Sequence, residues 1–301
     1  YGGSRPLPTL PIGNSCVARV IHKTDAKHRK FMPLTHLTII AIVQGITEFL
    51  PISSSGHLAL IPPLTGWPDH GLAVDIAAHS GSLCAVLIYF RNDIISLGRG
   101  LSDLSVGRQS ENTQLLGFLA MASAPTMLAG CALVLIGPNF FRHVEIIAWA
   151  TVIGAVVLYL ADQMTRNQRP LETMKLSHAA LVGLFQVLSL IPGASRAGMT
   201  ITAGRLCGYS RTDSARFSML TAIPIILAAG GYNILVLFKD GTGELLSPIL
   251  ITGGLSFLAS LGAIVAMMKW LRNASFTPLI VYRLLLGIGL LAWTYDIHEL
   301  F

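Results

Sequence analysis

The chain has 301 residues, 52% of them hydrophobic and only 12% charged, whereas soluble domains carry roughly 25% charge. With a mean hydropathy of +0.64, this composition excludes an ordinary water-soluble domain and indicates an integral membrane protein, for which an all-α polytopic fold is expected. The formal charge of +6 misleads: six of the 21 Lys and Arg lie in the first 31 residues, leaving 15 basic against 14 acidic residues elsewhere, and no basic patch with interleaved aromatics points to a nucleic-acid partner.

Residues 1–31 are rich in Pro, Gly and basic side chains and contain no apolar stretch of signal-peptide length. They read as a disordered N-terminal extension or a vector-derived tail. Met32 stands just before the first apolar run, so residues 32–301 are expected to form a single integral membrane domain.

Apolar runs follow at about 34–52, 73–90, 115–137, 144–161, 179–191, 214–238, 248–270 and 277–295. Most approach the ~20 residues that a spanning helix needs. Two are short and break off at punctuating residues: 34–52 at Pro51, and 179–191 at Pro192-Gly193. Paired interrupted segments in corresponding halves are the best sequence pointer to a binding site built by internal repeats. The halves echo each other there. Leu50-Pro51-Ile52-Ser53-Ser54-Ser55-Gly56 is answered by Ile191-Pro192-Gly193-Ala194-Ser195-Arg196-Ala197-Gly198. Aligned on the prolines, Ser54 meets Ser195 and the glycines fall one residue out of step.

Arg91, Arg99 and Arg108 mark 91–114 as a cytoplasmic loop, and Arg166, Arg169 and Lys175 do the same for 163–177. Run 73–90 then enters from the outer side, which puts the first motif nearer the outer face. Arg205, Arg211 and Arg216 either line a cavity or mark a further loop. Cys16, Cys84, Cys131 and Cys207 stand singly. They support neither a metal knuckle nor a disulfide frame, and the last three are expected to pack as small hydrophobes.

Chemistry concentrates at the two breaks. Gln44 and Glu48 are four apart and so share one helix face. A carboxyl at membrane depth serves as a cation ligand, a general base or a buried strut. Ser53, Ser54 and Ser55 follow Pro51, where they cap the next helix or supply a nucleophile. His57 lies three residues past Ser54, about one helical turn, and histidine is the usual base for a hydroxyl nucleophile. At the second break, Gly193 and Gly198 let backbone amides approach an anion. Arg196 offers a planar fork matched to phosphate oxygens, and Ser195 and Thr200 add hydroxyl donors. Together these parts suit phosphoryl chemistry at a membrane face.

Carried by Gln44-x-x-x-Glu48, by Phe49-Leu50-Pro51-Ile52-Ser53-Ser54-Ser55-Gly56-His57, by Pro192-Gly193-Ala194-Ser195-Arg196-Ala197-Gly198 and by His79-Ser80-Gly81-Ser82-Leu83 with Tyr89-Phe90-Arg91, the sequence resembles bacterial undecaprenyl pyrophosphate phosphatases of the bacitracin-resistance type over about residues 33–296. The resemblance implies two inverted repeats with re-entrant or broken helices. It implies hydrolysis of undecaprenyl pyrophosphate to the monophosphate and inorganic phosphate, which recycles the lipid carrier of cell-wall synthesis. It implies a divalent cation, Mg or Ca, and a place in the bacterial plasma membrane with the site facing the extracytoplasmic side. By motif position, Glu48 is the key acid and metal ligand, Ser54 the nucleophile, His57 its partner and Arg196 the phosphate clamp. Gln44, Ser53, Ser55, Gly193, Ser195, Gly198 and Thr200 surround the phosphates. Many members carry Glu at the position of Gln44 and Ser at that of Ala197, so a cation here rests more on Glu48 and one donor is lost. Partners are the lipid substrate and the surrounding membrane lipids; a homodimer is compatible with the sequence.

A second phosphatase family, with Ser-Arg-x5-His, is excluded because Thr202 occupies the position six after Arg196. The reading from another class is a transporter: broken helices with polar groups at membrane depth also describe a flippase for undecaprenyl phosphate.

Overall fold

The computed structural model describes residues 33–68, 71–136, 143–166, 168–240 and 246–295. The expected extension at 1–31 lies outside the described residues. Those described form helices α1 (Leu34–Thr47), α2 (Ser54–Thr65), α3 (Gly71–Tyr89), α4 (Arg91–Ser105), α5 (Glu111–Ile136), α6 (Val144–Met164), α7 (Leu176–Leu188), α8 (Arg196–Leu206), α9 (Arg211–Asp240), α10 (Leu246–Trp270) and α11 (Thr277–Thr294), with one short 3-10 turn at Leu171–Thr173. Among the described residues six helices are long and apolar enough to cross a bilayer: α3, α5, α6, α9, α10 and α11. The chain is an all-α, multi-pass membrane protein.

The short apolar runs become α1 and α7, and each is followed after a tight turn by a second short helix, α2 or α8. Pro51 and Pro192 help to end the first helix of each pair, because the residue before a proline is pushed out of the helical region. Neither α2 nor α8 stands out as an apolar run: α2 contains Pro62 and Pro63, and α8 is Gly-, Thr- and Arg-rich. Segment 91–114 is also not a plain loop. Its first part is α4, which exposes Ile95, Leu101 and Leu104 beside Arg91 and Arg99 while burying Asp93. That pattern suits a helix lying in a membrane interface.

The packing is that of a bilayer protein. Large residues such as Leu128, Ile153, Leu258 and Leu285 face outward, while the interior holds many Ala, Gly, Ser and Thr. Small residues let helices approach, and hydroxyls bond across them. Where α1, α3 and α10 meet, Ser260 donates to Ser82 (2.9 Å) or to the Gly45 carbonyl (3.1 Å), and Ser256 donates to the Ala78 carbonyl at 2.7 Å. The expectation for the cysteines is corrected. Cys84 and Cys131 point outward and Cys207 is half-buried, all three as free thiols, because these close-packed interfaces admit smaller residues.

The three second-half arginines are paired with acids. Arg205, fully buried, lies 3.0 Å from Asp162 Oδ1, and Arg211 donates to the same oxygen at 2.8 Å. Arg216 pairs with Asp93 of α4. Beside them burial pushes the Tyr209 phenol up to about 12, so it keeps its proton; its hydroxyl lies 2.7 Å from His178 Nδ1. These groups fix the end of α8 and the start of α9 to their neighbours and lie outside the cavity described next.

Candidate active site

The two breaks use one backbone device. Ser53 caps α2 with φ 73°, and its hydroxyl accepts from the Gly56 amide at 3.3 Å. Ser195 caps α8 with φ 69°, and its hydroxyl accepts from the Gly198 amide at 3.1 Å. They are the only described non-glycine residues at positive φ. Such backbone costs about 1–3 kcal/mol per residue and persists where the surroundings over-determine it, commonly at functional sites. The caps correct the register read from the prolines: Ser195 corresponds to Ser53, Arg196 to Ser54 and Gly198 to Gly56. The prolines, not the glycines, are out of step. Gly193, at φ 95°, supplies a left-handed turn before the second cap.

Glu48 is the centre of the arrangement. It follows α1, is almost fully buried, and uses both carboxylate oxygens. Arg196 Nη2 donates to Oε1 at 3.1 Å. Ser54 Oγ donates to Oε2 at 2.9 Å, and Gln44 Nε2 donates to the same oxygen at 2.8 Å. Arg196 is held from behind by a bond from Nη1 to the Ser218 carbonyl, 3.1 Å. A carboxylate from the first half and a guanidinium from the second, 148 residues apart in sequence, thus meet in one ion pair. The two breaks are adjacent in space.

Around this pair lies a cavity of about 220 Å³. Gln44, Glu48, Ser53, Ser54, Ser55, Ser195 and Arg196 all line it. One side is apolar, with Leu58, Ile76, Ile225 and Ile226. A compact polar centre beside an apolar wall suits an amphiphile with a small anionic head.

Four residues expected at the site stand back from the cavity. Gly193 gives its carbonyl to Arg283 and Thr151. The Gly198 amide is taken by Ser195, so it does not offer itself to an anion. Thr200 turns its hydroxyl to the Arg196 carbonyl (2.9 Å) and to Ser218 Oγ (2.6 Å). His57 is not bonded to Ser54. Its Nδ1 meets the Ser53 carbonyl at 2.7 Å and its Nε2 meets the Tyr282 hydroxyl at 2.6 Å. A carbonyl only accepts, so Nδ1 carries a proton. In the neutral ring Nε2 then accepts from the tyrosine. The hydrogen-bond partner of Ser54 is Glu48 instead, because α2 turns His57 toward α11.

Three side chains were not singled out from sequence. His79 and Asp75 of α3 line the cavity beside Glu48. His79 Nε2 lies 3.9 Å from Glu48 Oε2, and its Nδ1 donates to the Asp75 carbonyl at 2.8 Å. Their signal was available: one acid and one histidine, four apart, inside an apolar run. Arg283 of α11 reaches both breaks. Its sign was equally plain, an arginine within the apolar run 277–295, since an ionisable group inside a membrane segment is a functional candidate by default.

Residues 37–289 match the family model described as bacitracin resistance protein BacA. The chain belongs to this family. Similar proteins named undecaprenyl-diphosphatase include one from Maricaulis maris, 46% identical over 266 residues, covering 87% of this chain and 99% of that protein. The relative from Dinoroseobacter shibae is 44% identical over 88% of this chain and its own full length. That from Saccharophagus degradans is 42% identical over 87% of this chain and 98% of its own. Among the described residues of this BacA-family chain, no group of three or more His, Cys, Asp or Glu gathers to cage a metal. The donors present are nevertheless hard oxygens. Gln44 Oε1 is buried at the cavity wall without a hydrogen-bond partner, next to the Glu48 carboxylate. That fits a Mg- or Ca-type ion held partly by protein oxygens and partly by phosphate, as Mg commonly is.

Proposed function

We propose that this protein dephosphorylates undecaprenyl pyrophosphate to undecaprenyl phosphate and inorganic phosphate, with Glu48, Ser54 and Arg196 carrying the reaction. Membership of the BacA family and relatives of matching length named undecaprenyl-diphosphatase support the enzyme over the transporter. The observation that carries the site assignment is that Ser54 Oγ and Arg196 Nη2 sit on the two oxygens of one buried carboxylate, at 2.9 and 3.1 Å.

In this reading the Ser54 hydroxyl proton passes to Glu48 as Oγ bonds the terminal phosphorus. The bond from that phosphorus to the bridging oxygen breaks, and lipid monophosphate leaves with the electron pair. Water then bonds the phosphorus of the phosphoserine and the bond from phosphorus to Oγ breaks; the water's protons leave on inorganic phosphate, and the proton on Glu48 returns to Oγ. Arg196 neutralises charge on the phosphoryl oxygens through both steps. Glu48 and Gln44 Oε1 would hold a divalent cation, which would supply further charge neutralisation at the pyrophosphate. His57 acts through the Ser53 carbonyl rather than on Ser54 directly.

The halves are read as inverted repeats, α1–α2 re-entering from one face and α7–α8 from the other, with their tips meeting at the cavity. The shared caps support this. The cavity opens toward the extracytoplasmic side of the bacterial plasma membrane. Asp75 and His79 lie near the start of α3, whereas the Arg-rich segment follows its end, and positive segments stay inside.

The test is phosphate release from undecaprenyl pyrophosphate by protein purified in detergent. Release is expected, lost on chelation and restored by Mg or Ca. Lipid translocation in vesicles without phosphate release would favour the transporter instead.

A further inference from the structure

We propose that Arg283 is a positioning residue for phosphoryl transfer, holding both breaks in register from behind the cavity; the inference rests on the phosphatase reading above. Its side chain is fully buried in the middle of a spanning helix. None of the ion pairs formed among the described residues includes it. Its guanidinium donates to three backbone carbonyls instead: Pro51 from Nη1 at 3.2 Å, and Gly193 and Ala194 from Nη2 at 3.1 and 3.0 Å.

The choice of carbonyls is informative. Pro51 lies two residues before the positive-φ cap Ser53, and Gly193 and Ala194 immediately precede the positive-φ cap Ser195. The residue after each cap belongs to the proposed reaction, the nucleophile Ser54 on one side and the phosphate clamp Arg196 on the other. One planar fork therefore ties the approach to the nucleophile to the approach to the clamp. A broken helix leaves carbonyls without amide partners, which the membrane interior cannot satisfy. Arg283 satisfies three of them with one rigid group, which fixes their relative positions as well.

The neighbouring helices leave room for this fork. A Cβ on Gly154 of α6 would stand 2.5 Å from Arg283 Nη2, and one on Gly198 of α8 would stand 2.7 Å from Nη1. Both positions are glycine where the guanidinium passes. Lysine could not reproduce the contact set, because its single ammonium lacks the fixed fork.

The experiment compares R283A, R283K and wild type, purified in detergent, by turnover and KM on undecaprenyl pyrophosphate, with thermal unfolding to confirm folding. A shift of the reacting groups by about 1 Å can cost on the order of 10² in rate. Folded R283A is expected to lose turnover on that scale while KM changes by less than about tenfold, with R283K intermediate. Guanidinium at low millimolar concentration should restore part of the turnover of R283A and none of that of S54A. A merely structural arginine would shift thermal stability without this rescue.

Folded R283A turning over within about threefold of wild type would overturn the proposal, as would equal losses in R283A and R283K that guanidinium leaves unmoved. If R283A does not fold, G154A decides, since its Cβ displaces the guanidinium without removing it. Turnover about tenfold down with KM nearly unchanged supports positioning, and unchanged turnover refutes it. A wild-type protein that releases no phosphate would sink the phosphatase reading first, and this inference with it.

Discussion

The break before α2 and the break before α8 share a scaffold and differ in chemistry. Nine residues before each cap stands a fully buried glutamine, Gln44 or Gln186. Three residues after each cap stands the glycine whose amide the cap accepts. Between these fixed points the halves diverge. Five residues before the cap the first half has Glu48 and the second Leu190. One residue after it the first has Ser54 and the second Arg196. The first break thus supplies acid and hydroxyl, the second the guanidinium that pairs with the acid. A symmetric backbone has been given asymmetric side chains, and the site exists only where the two meet.

The sharpest way to break this comparison is to remove the charge at Glu48 alone. Glu48→Gln keeps the size but removes the charge that pairs with Arg196 and turns one accepting oxygen into an NH2 donor, so it cannot accept from Arg196, Ser54 and Gln44 together. Turnover should fall by about 10²–10⁴-fold, the range for a catalytic acid or base, with the protein still monodisperse in detergent. Leu190→Met, at the corresponding position, should change turnover by less than about threefold. Phosphate release by the two variants side by side checks both.

Arg196→Lys comes next. It preserves the charge and loses the fork, so a loss of about 10²-fold is expected, comparable to removing one oxyanion-hole donor. Normal turnover with normal affinity would show that the second break contributes charge but no geometry.

The glutamines sharpen the contrast further. Gln44 donates to Glu48 at 2.8 Å, whereas Gln186 donates to the Ala122 carbonyl of α5 at 3.1 Å. Gln44→Leu should reduce turnover about tenfold and raise the cation concentration needed for half-activity, since it loses a bond to the Glu48 carboxylate worth roughly 1.5 kcal/mol or more. Gln186→Leu should cost about 1 kcal/mol of stability and leave the cation dependence alone. Thermal midpoints and cation titrations separate the two.

The smallest effect expected is at the caps themselves. Ser53→Gly and Ser195→Gly lose the capping hydroxyl but accept positive φ without strain, so each should shift stability by only a few tenths of a kcal/mol. The corresponding alanine variants lose the cap and keep the strain, and should lie at least 1 kcal/mol lower. Unequal behaviour of the two serines in thermal unfolding would contradict the shared scaffold.

Much of this was legible in the chain. The spanning helices follow directly from apolar runs: 144–161 became Val144–Met164 and 277–295 became Thr277–Thr294. The interrupted runs pointed to the candidate site, and Glu48 and Arg196 stood out as charges in apolar surroundings. What escaped had physical causes. Helices α2 and α8 are too short and too rich in Pro, Gly or polar residues to show a membrane period. The register between halves was misread because proline, the more visible punctuation, is offset, while the true anchor is a positive φ that serine rarely adopts. Pairing Ser54 with His57 followed sequence proximity, but the cap rotates His57 toward Tyr282 and leaves Ser54 on Glu48. His79 and Arg283 showed as ionisable groups inside apolar runs, but that they reach the breaks depends on helix packing, through contacts more than 30 and 200 residues away in sequence.

The claim that the two breaks act as one unit is tested most directly by a double-mutant cycle on kcat/KM for phosphate release, using Glu48→Gln, Arg196→Met and the double variant. Groups that work as a unit are strongly non-additive. The account predicts that the double variant is about as impaired as the worse single variant. Losses that multiply, as for independent sites, would contradict it.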